Sequence, residues 1–272
     1  MKVFSDKTHK QLSGEGVTSQ QLEKELGEDL ELALELLLAQ GLELEAREER
    51  YRYATTGIAI PDADFCIVDI ETNGSKPARH QIIEVGAVMV RNRTITGRYE
   101  SLVRCDEISP HITEITGIAV ADTKNAPPLK QVLHELRTFL GTAIFVAHDV
   151  NFDYSFISAM FERYGEAPLM NRRLCTIDLA ERTISSYRYG LAYLNEQLEL
   201  YKEATHHRAL SDAITTAKLF KRTLKYVPES IRTAEELIQF SKEAKRLKRP
   251  KFDPAVIETN AAKAAADSDS KE

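Results

Sequence analysis

A chain of 272 residues with 43% hydrophobic and 29% charged residues has the balance of a water-facing globular protein. It is long enough for one large domain, or one medium domain with appendages. No apolar run approaches the roughly 20 residues of a membrane helix, and a formal net charge of −6 argues against a protein that coats nucleic acid by neutralising phosphates. An enzyme that grips only a few nucleotides stays compatible with that charge, because bound cations supply much of what its site needs. The polar start, Met1 to Lys7, carries no leader-like apolar segment, so a cytoplasmic location is expected. The cysteines, Cys66, Cys105 and Cys175, are far apart in apolar surroundings and read as buried thiols.

Residues 1–57 differ in composition from the rest of the chain, and 14–50 hold eleven acidic against three basic residues. Thr18 or Ser19 caps a short helix that runs to Leu26 and stops at Gly27. A second helix is expected over about 28–40, with Leu30, Leu34, Leu37 and Leu38 on one face and Gly41 as its stop. Residues 42–54 alternate like a β-hairpin. Helices followed by a hairpin resemble a small winged-helix-like α+β module. Its helix carries glutamates where a duplex-binding one carries basic residues, so protein contact or packing is the expected role. Residues 55–64 read as a short polar linker, with the next domain opening near Asp62.

Phe65-Cys66-Ile67-Val68-Asp69-Ile70-Glu71-Thr72-Asn73-Gly74 reads as a buried strand ending at a turn. Side chains alternate faces along a strand, so Asp69 and Glu71 share one. Two half-buried carboxylates repel unless a cation lies between them, and oxygen-only ligands favour a hard ion such as Mg²⁺ or Mn²⁺. Alone, the pair reads first as two acids at a solvated strand end, and the pieces further down the chain shift that reading. Residues 81–90 and 94–104 form a second hairpin, 111–118 a short helix stopped by Gly117, 129–140 a helix and 143–147 a buried strand. Helix and strand alternate to about Leu224, so the expected fold is α/β with a central mixed sheet flanked by helices. Asp153 falls in the first turn of the helix after His148-Asp149, where a helix dipole stabilises a carboxylate. His207 precedes a further helix, and Asp212 lies in its first turns.

In order and spacing, Asp69-x-Glu71-Thr72-x-Gly74, Phe152-Asp153 and His207-x-Ala209-x-x-Asp212-Ala213 together resemble the DnaQ-like 3′ to 5′ exonucleases, the histidine-bearing DEDD group of the RNase H-like superfamily. The resemblance spans about residues 62–226 and includes Ile115-Thr116-Gly117-Ile118 and 175–180. It implies an RNase H-like exonuclease fold and removal of nucleoside 5′-monophosphates from a nucleic-acid 3′ end. It further implies two Mg²⁺ or Mn²⁺ ions per site, held by Asp69, Glu71, Asp153 and Asp212. His207 is then the group that takes a proton from the attacking water. Thr72 and Gly74 would approach the terminal sugar, and Thr116, Gly117, Ile118 and Phe152 would pack on the last base. Asp178 reads as a helix start, Glu84 as a hairpin or supporting residue, and His206 as the less well placed of two neighbours. One departure is Asp149, where the family commonly has Asn.

Within that family the chain most resembles proofreading-type exonucleases acting on DNA, so proofreading or repair of DNA beside a polymerase is expected. RNA 3′ trimming, or a non-catalytic nucleic-acid-binding adaptor, are the alternatives. Residues 227–252 are expected to hold one more helix with a basic patch (Lys242, Lys245, Arg246, Lys248, Arg249, Lys251), and 253–272 a disordered tail.

Overall fold

The structure, a computed structural model, describes residues 4–27 and 29–254. The chain opens with α1 (Asp6–Leu12), β1 (Val17–Thr18), α2 (Ser19–Leu26), α3 (Leu30–Ala39), β2 (Leu44–Arg47) and β3 (Arg50–Tyr53), the strands forming an antiparallel sheet in the order β1-β3-β2. The Thr18 hydroxyl accepts from Gln21 N–H, and Gly27 closes α2 in the left-handed region (φ 69°), which suits a residue without Cβ. Helix α1 and strand β1 are additions to the sequence reading, both too short to carry a period. Phe4, Leu12, Val17, Leu22, Leu37 and Tyr53 make the local core.

The expected face of α3 is partly corrected. Ala33 and Leu37 are buried, whereas Leu38 is 49% exposed and Leu32 and Leu36 face solvent as well. Adjacent helical residues lie about 100° apart, and only one stripe of α3 is covered.

The second sheet begins with β4 (Phe65–Thr72), β5 (Ile82–Arg91) and β6 (Thr94–Leu102). After α4 (Pro110–Thr116), α5 (Val120–Thr123) and α6 (Leu129–Leu140) come β7 (Ile144–Ala147), α7 (Val150–Arg163) and β8 (Arg173–Cys175). The remaining helices are α8 (Thr176–Thr183), α9 (Leu191–Leu198), α10 (Ala209–Thr223) and α11 (Ala234–Glu243). Strand order is β6-β5-β4-β7-β8, with β4 antiparallel to β5 and parallel to β7. This is the mixed sheet the sequence predicts.

Alternation along β4 decides what lies on each face. Cys66, Val68 and Ile70 pack against α6 and α7, where Val132, Leu133, Leu136 and Phe156 are almost fully buried. Each such side chain stabilises the layer by about 1.5–3 kcal/mol. Phe65 and Ile67 face the other way, onto Ala213, Ala217 and Phe220 of α10 and Leu237 of α11. Asp69 and Glu71 continue that second series and so point toward the start of α10.

Residues 55–64 do not form a free linker. Thr55 is buried and its hydroxyl donates to Glu235 at 2.8 Å, Ile60 N–H donates to Arg232 O at 3.0 Å, and Ala59 bridges Thr233. The front unit docks through Met170 N–H to Gln40 O (2.8 Å) and through the Arg172 guanidinium, which pairs with Glu235 and lies 4.1 Å from the Tyr53 ring centroid. It therefore sits at the end of the large sheet where β7 and β8 begin. Of the cysteines, Cys66 and Cys105 are buried and Cys175 is half-buried. Asp253, expected in a disordered tail, is buried and accepts from Tyr193 Oη at 3.1 Å; the rest of that expectation, from residue 255, lies outside the described residues. No described helix is long and apolar enough to cross a membrane.

Candidate active site

Asp69, Glu71, Asp153, His207 and Asp212 line one shallow pocket of ≈ 300 Å³, together with Ile70, His148, Asp149, Phe152 and Leu191. Three separated stretches of sequence meet there for local reasons. Strand β4 ends with its two acids on the α10 face. Helix α7 begins right after β7, and Asp153 in its first turn reaches back to accept the backbone N–H of Ile70 at 3.2 Å. Helix α10 brings Asp212, whose Oδ2 accepts His207 N–H at 2.8 Å and thereby folds the preceding loop over the acids. Glu71, His207 and Asp212 each place a ligand atom within 4.8 Å of the others.

Gly86 makes this convergence possible, and no local pattern in the chain marks it. It pairs with Asp69 across β4 and β5, and a Cβ there would stand 2.1 Å from Leu210 N and 2.2 Å from Ala209 C. Only a residue without a side chain lets the first turn of α10 lie directly on the strand. Glu84, expected as a hairpin or supporting residue, has the supporting role: it is 1% exposed, takes the Arg208 guanidinium at 2.7 Å and accepts Ala209 N–H at 2.9 Å. It ties the start of α10 to the register position opposite Glu71.

Burial and mutual repulsion outweigh the opposing pull of Arg208 on Glu71 and of His206 and His207 on Asp212. Burial, then the charges of Asp153, Asp212, Glu71 and Glu84, push Asp69 well above the usual carboxylate range. Burial and Asp212 raise Glu71 to about 7. Burial raises Asp153 to about 8 against the pull of its backbone hydrogen bonds, with Asp149 adding repulsion. Asp212 is raised too, mainly by burial. Its Oδ1 is buried without a hydrogen-bond partner among the described residues, and His206 Nδ1 lies 3.6 Å from it. His207 lines the pocket and His206 does not.

His148 is a pocket residue that the sequence does not mark, beyond its place before Asp149. Burial lowers it to about 4. Its neutral ring donates from Nε2 to Tyr189 O at 2.8 Å, and Nδ1 lies 2.9 Å from Thr176 Oγ1, fixing the wall of the pocket. Asp149 adopts φ 78°, a left-handed conformation that Asp tolerates as Asn does, so an acid fits the local geometry at this position.

Among the expected substrate contacts, Phe152 lines the pocket and is 39% exposed. Thr72 and Gly74 lie beyond it, and Gly74 serves another close approach, since a Cβ there would meet the His80 ring at 2.6 Å. Thr116 and Ile118 do not line the pocket. Both are buried, and the Thr116 hydroxyl is used by Ile112 O and Ile118 N–H. Gly117 is the left-handed stop of α4 (φ 71°), while Ile115 and Val120 are the exposed side chains of that turn. Asp178 pairs with Arg246 at 3.3 Å and Arg182 at 3.7 Å, away from the pocket, as a helix-start residue should.

Comparison with known proteins supplies the context for this geometry. Over 179 residues the chain is 35% identical to a DNA polymerase III PolC-type of Caldanaerobacter subterraneus subsp. tengcongensis, covering 65% of this chain and 13% of that protein. Over 162 residues it is 36% identical to the PolC-type polymerase of Thermotoga maritima, covering 59% and 12%. The chain thus spans only about an eighth of the length of these relatives. Exonuclease X, solved in complex with 5′ overhanging duplex DNA, superposes with a TM-score of 0.52 at 27% identity over 65% of this chain and 99% of that one. The zinc-bound form of an E. coli exonuclease I–single-stranded DNA complex shares the fold, with a TM-score of 0.56 at 18% identity over 62% and 42% of the two chains. A family model described as exonuclease, of the RNase T type, matches residues 66–220, more than half of the 272. The protein belongs to the RNase T exonuclease family.

Proposed function

We propose that the chain is a divalent-metal-dependent 3′ to 5′ exonuclease that removes nucleoside 5′-monophosphates from single-stranded or frayed DNA, working with two Mg²⁺ or Mn²⁺ ions per site. The observation that carries this reading is the meeting of Asp69, Glu71, Asp153 and Asp212 in a pocket with no lysine or arginine among its lining residues. The donor set fits a hard ion: it is all carboxylate oxygen, it repels itself, and one buried oxygen, Asp212 Oδ1, has no hydrogen-bond partner among the described residues. Asp69, Glu71 and Asp212 would hold one ion and Asp69 with Asp153 the other. The chemistry such ions supply when bound is positive charge beside the phosphate and a more acidic water. His207, exposed at the mouth, takes the proton of the attacking water. Phe152 stacks on the terminal base, a contact indifferent to base identity.

The PolC-type relatives support DNA as the substrate and proofreading beside a polymerase as the setting, and the zinc-bound E. coli exonuclease I supports a divalent ion in this fold. We propose in addition that residues 1–57 are a winged-helix-like module and 62–226 the exonuclease domain. The element order α1-β1-α2-α3-β2-β3 supports the first assignment, and the acidic, leucine-bearing α3 supports a protein contact for that module.

The test is incubation of 5′-labelled single-stranded DNA and RNA with Mg²⁺, Mn²⁺ or chelator. Stepwise shortening of DNA from its 3′ end, only with metal, is expected. Cleavage that persists in chelator overturns the reading, and preferential shortening of RNA reassigns the substrate.

A further inference from the structure

The basic patch after α11 is a fixed surface with a division of labour among its cations. From residue 245 to 252 every residue is exposed, yet the backbone is pinned. Leu247 N–H donates to Glu181 O at 2.8 Å, Ser185 Oγ donates to Lys248 O at 3.0 Å, and Arg182 donates to Ala244 O at 2.7 Å. Arg246 and Arg249 are spent on this anchoring, reaching the Glu181 carboxylate at 2.9 Å and 2.5 Å. Lys245, Lys248 and Lys251 make no ion pair among the described residues, and Phe252 beside them is 68% exposed, the largest exposure among the large hydrophobic side chains described. A protein with a net charge of −6 thus holds three ammonium groups and an aromatic ring open to solvent on a strap pinned at residues 244, 247 and 248.

The strap also connects to the pocket wall through intervening residues. Arg249 lies 5.0 Å from the centroid of Tyr189, and the carbonyl of Tyr189 receives His148 from the pocket wall. Further along, Asp253 accepts from Tyr193 of α9, whose first residue, Leu191, lines the pocket. Lysines on a pinned backbone neutralise phosphates, and an exposed ring stacks on any base.

We propose that the strap 245–252 is a binding track for single-stranded DNA on the 5′ side of the nucleotides held in the pocket, with Lys248 and Lys251 on phosphates and Phe252 on a base. The inference rests on the exonuclease reading above and adds a site outside the acid pocket. The strap then sets how long a strand must be for tight binding, independent of the terminal chemistry.

The full chain carrying Lys248→Glu with Lys251→Glu, and separately Phe252→Ala, is compared with the wild type. Ca²⁺ replaces the working metal, and the probes are a fluorescent oligothymidylate of about fifteen nucleotides, near the upper end of single-strand site sizes, and a trinucleotide. The charge-reversed protein is expected to bind the long strand about tenfold or more weakly, with a salt-dependence slope reduced by about 1.4 for two lost phosphate contacts. Phe252→Ala should lose several-fold with the slope unchanged. Trinucleotide binding, and its hydrolysis in Mg²⁺, should match the wild type. Unchanged long-strand affinity and slope in the charge-reversed protein overturn the track and leave the exonuclease reading standing. A wild type that neither binds nor shortens the long strand overturns both.

Discussion

Two groups of buried acids in this molecule are about equally hidden and oppositely equipped. Glu181 and Glu235 are 5% and 1% exposed, and each meets arginine: Arg246 and Arg249 in the first case, Arg172 in the second. Burial alone would raise Glu235, yet Arg172 and the Thr55 hydroxyl hold it below the ordinary value. Asp153 and Asp212 are 4% and 8% exposed and share their pocket with Asp69 and Glu71, and all four are driven upward. Where the fold needs an anion for architecture, it provides the cation from its own chain. No lysine or arginine is among the residues that line the pocket, and that contrast is what the proposed ion-binding role rests on.

The sharpest way to break this contrast is to remove a pocket acid. Asp69→Ala or Asp212→Ala is expected to abolish metal-dependent hydrolysis while the circular dichroism spectrum and cooperative melting stay native. In the ion-free protein near pH 9, Asp153→Asn should raise Tm, by about 2–4 °C for each kcal/mol of repulsion removed; a lowered Tm there contradicts the unbalanced-charge account. His207→Ala should reduce the turnover rate by roughly 10²–10⁴ with little change in Tm.

The architectural acids should behave the other way. Arg172→Ala leaves Glu235 buried without its partner and should cost about 3–5 kcal/mol in denaturant unfolding, with turnover per folded molecule unchanged. Loss of turnover without loss of stability would erase the distinction between the two groups.

A smaller effect comes from pH. Glu71 and Asp153, raised to about 7 and about 8, keep protons in the folded ion-free protein that the unfolded chain has already released. Folding then binds protons, and the associated stability, complete below about pH 4, is lost progressively as pH rises to 7 to 8. Melting followed in chelator should show Tm declining between about pH 4 and pH 8 and levelling above it, and added Mn²⁺ should flatten the decline. A Tm that climbs over that range would contradict the raised values.

How much of this is readable without coordinates depends on the range of each interaction. Strand β4 is legible because an apolar run and an Asp-x-Glu pair declare both burial and facing within one short stretch. Asp153 and Asp212 are legible only together with it, since each alone is an ordinary first-turn acid. Gly86 is not legible: its necessity arises from a helix, distant in the chain, whose Ala209 and Leu210 land on it. The arginines of the 242–251 patch look free in the sequence for the same reason, as their partners Asp178 and Glu181 lie 68 residues upstream. Leu38 falls on the wrong side of α3 by pattern alone because a run of three leucines fits several stripes, and only the neighbouring elements choose among them.

The docking of the front unit has a mechanical consequence. It is bolted through Arg172, Gln40 and Thr55 to the margin where the parallel strands start, while the carboxylates gather at the margin where they finish. Strand β7 between them is four residues long, about 13 Å of extended chain. A larger assembly that grips the leucine-faced helix would therefore carry the cutting end at a fixed, short standoff, as a handle carries a blade.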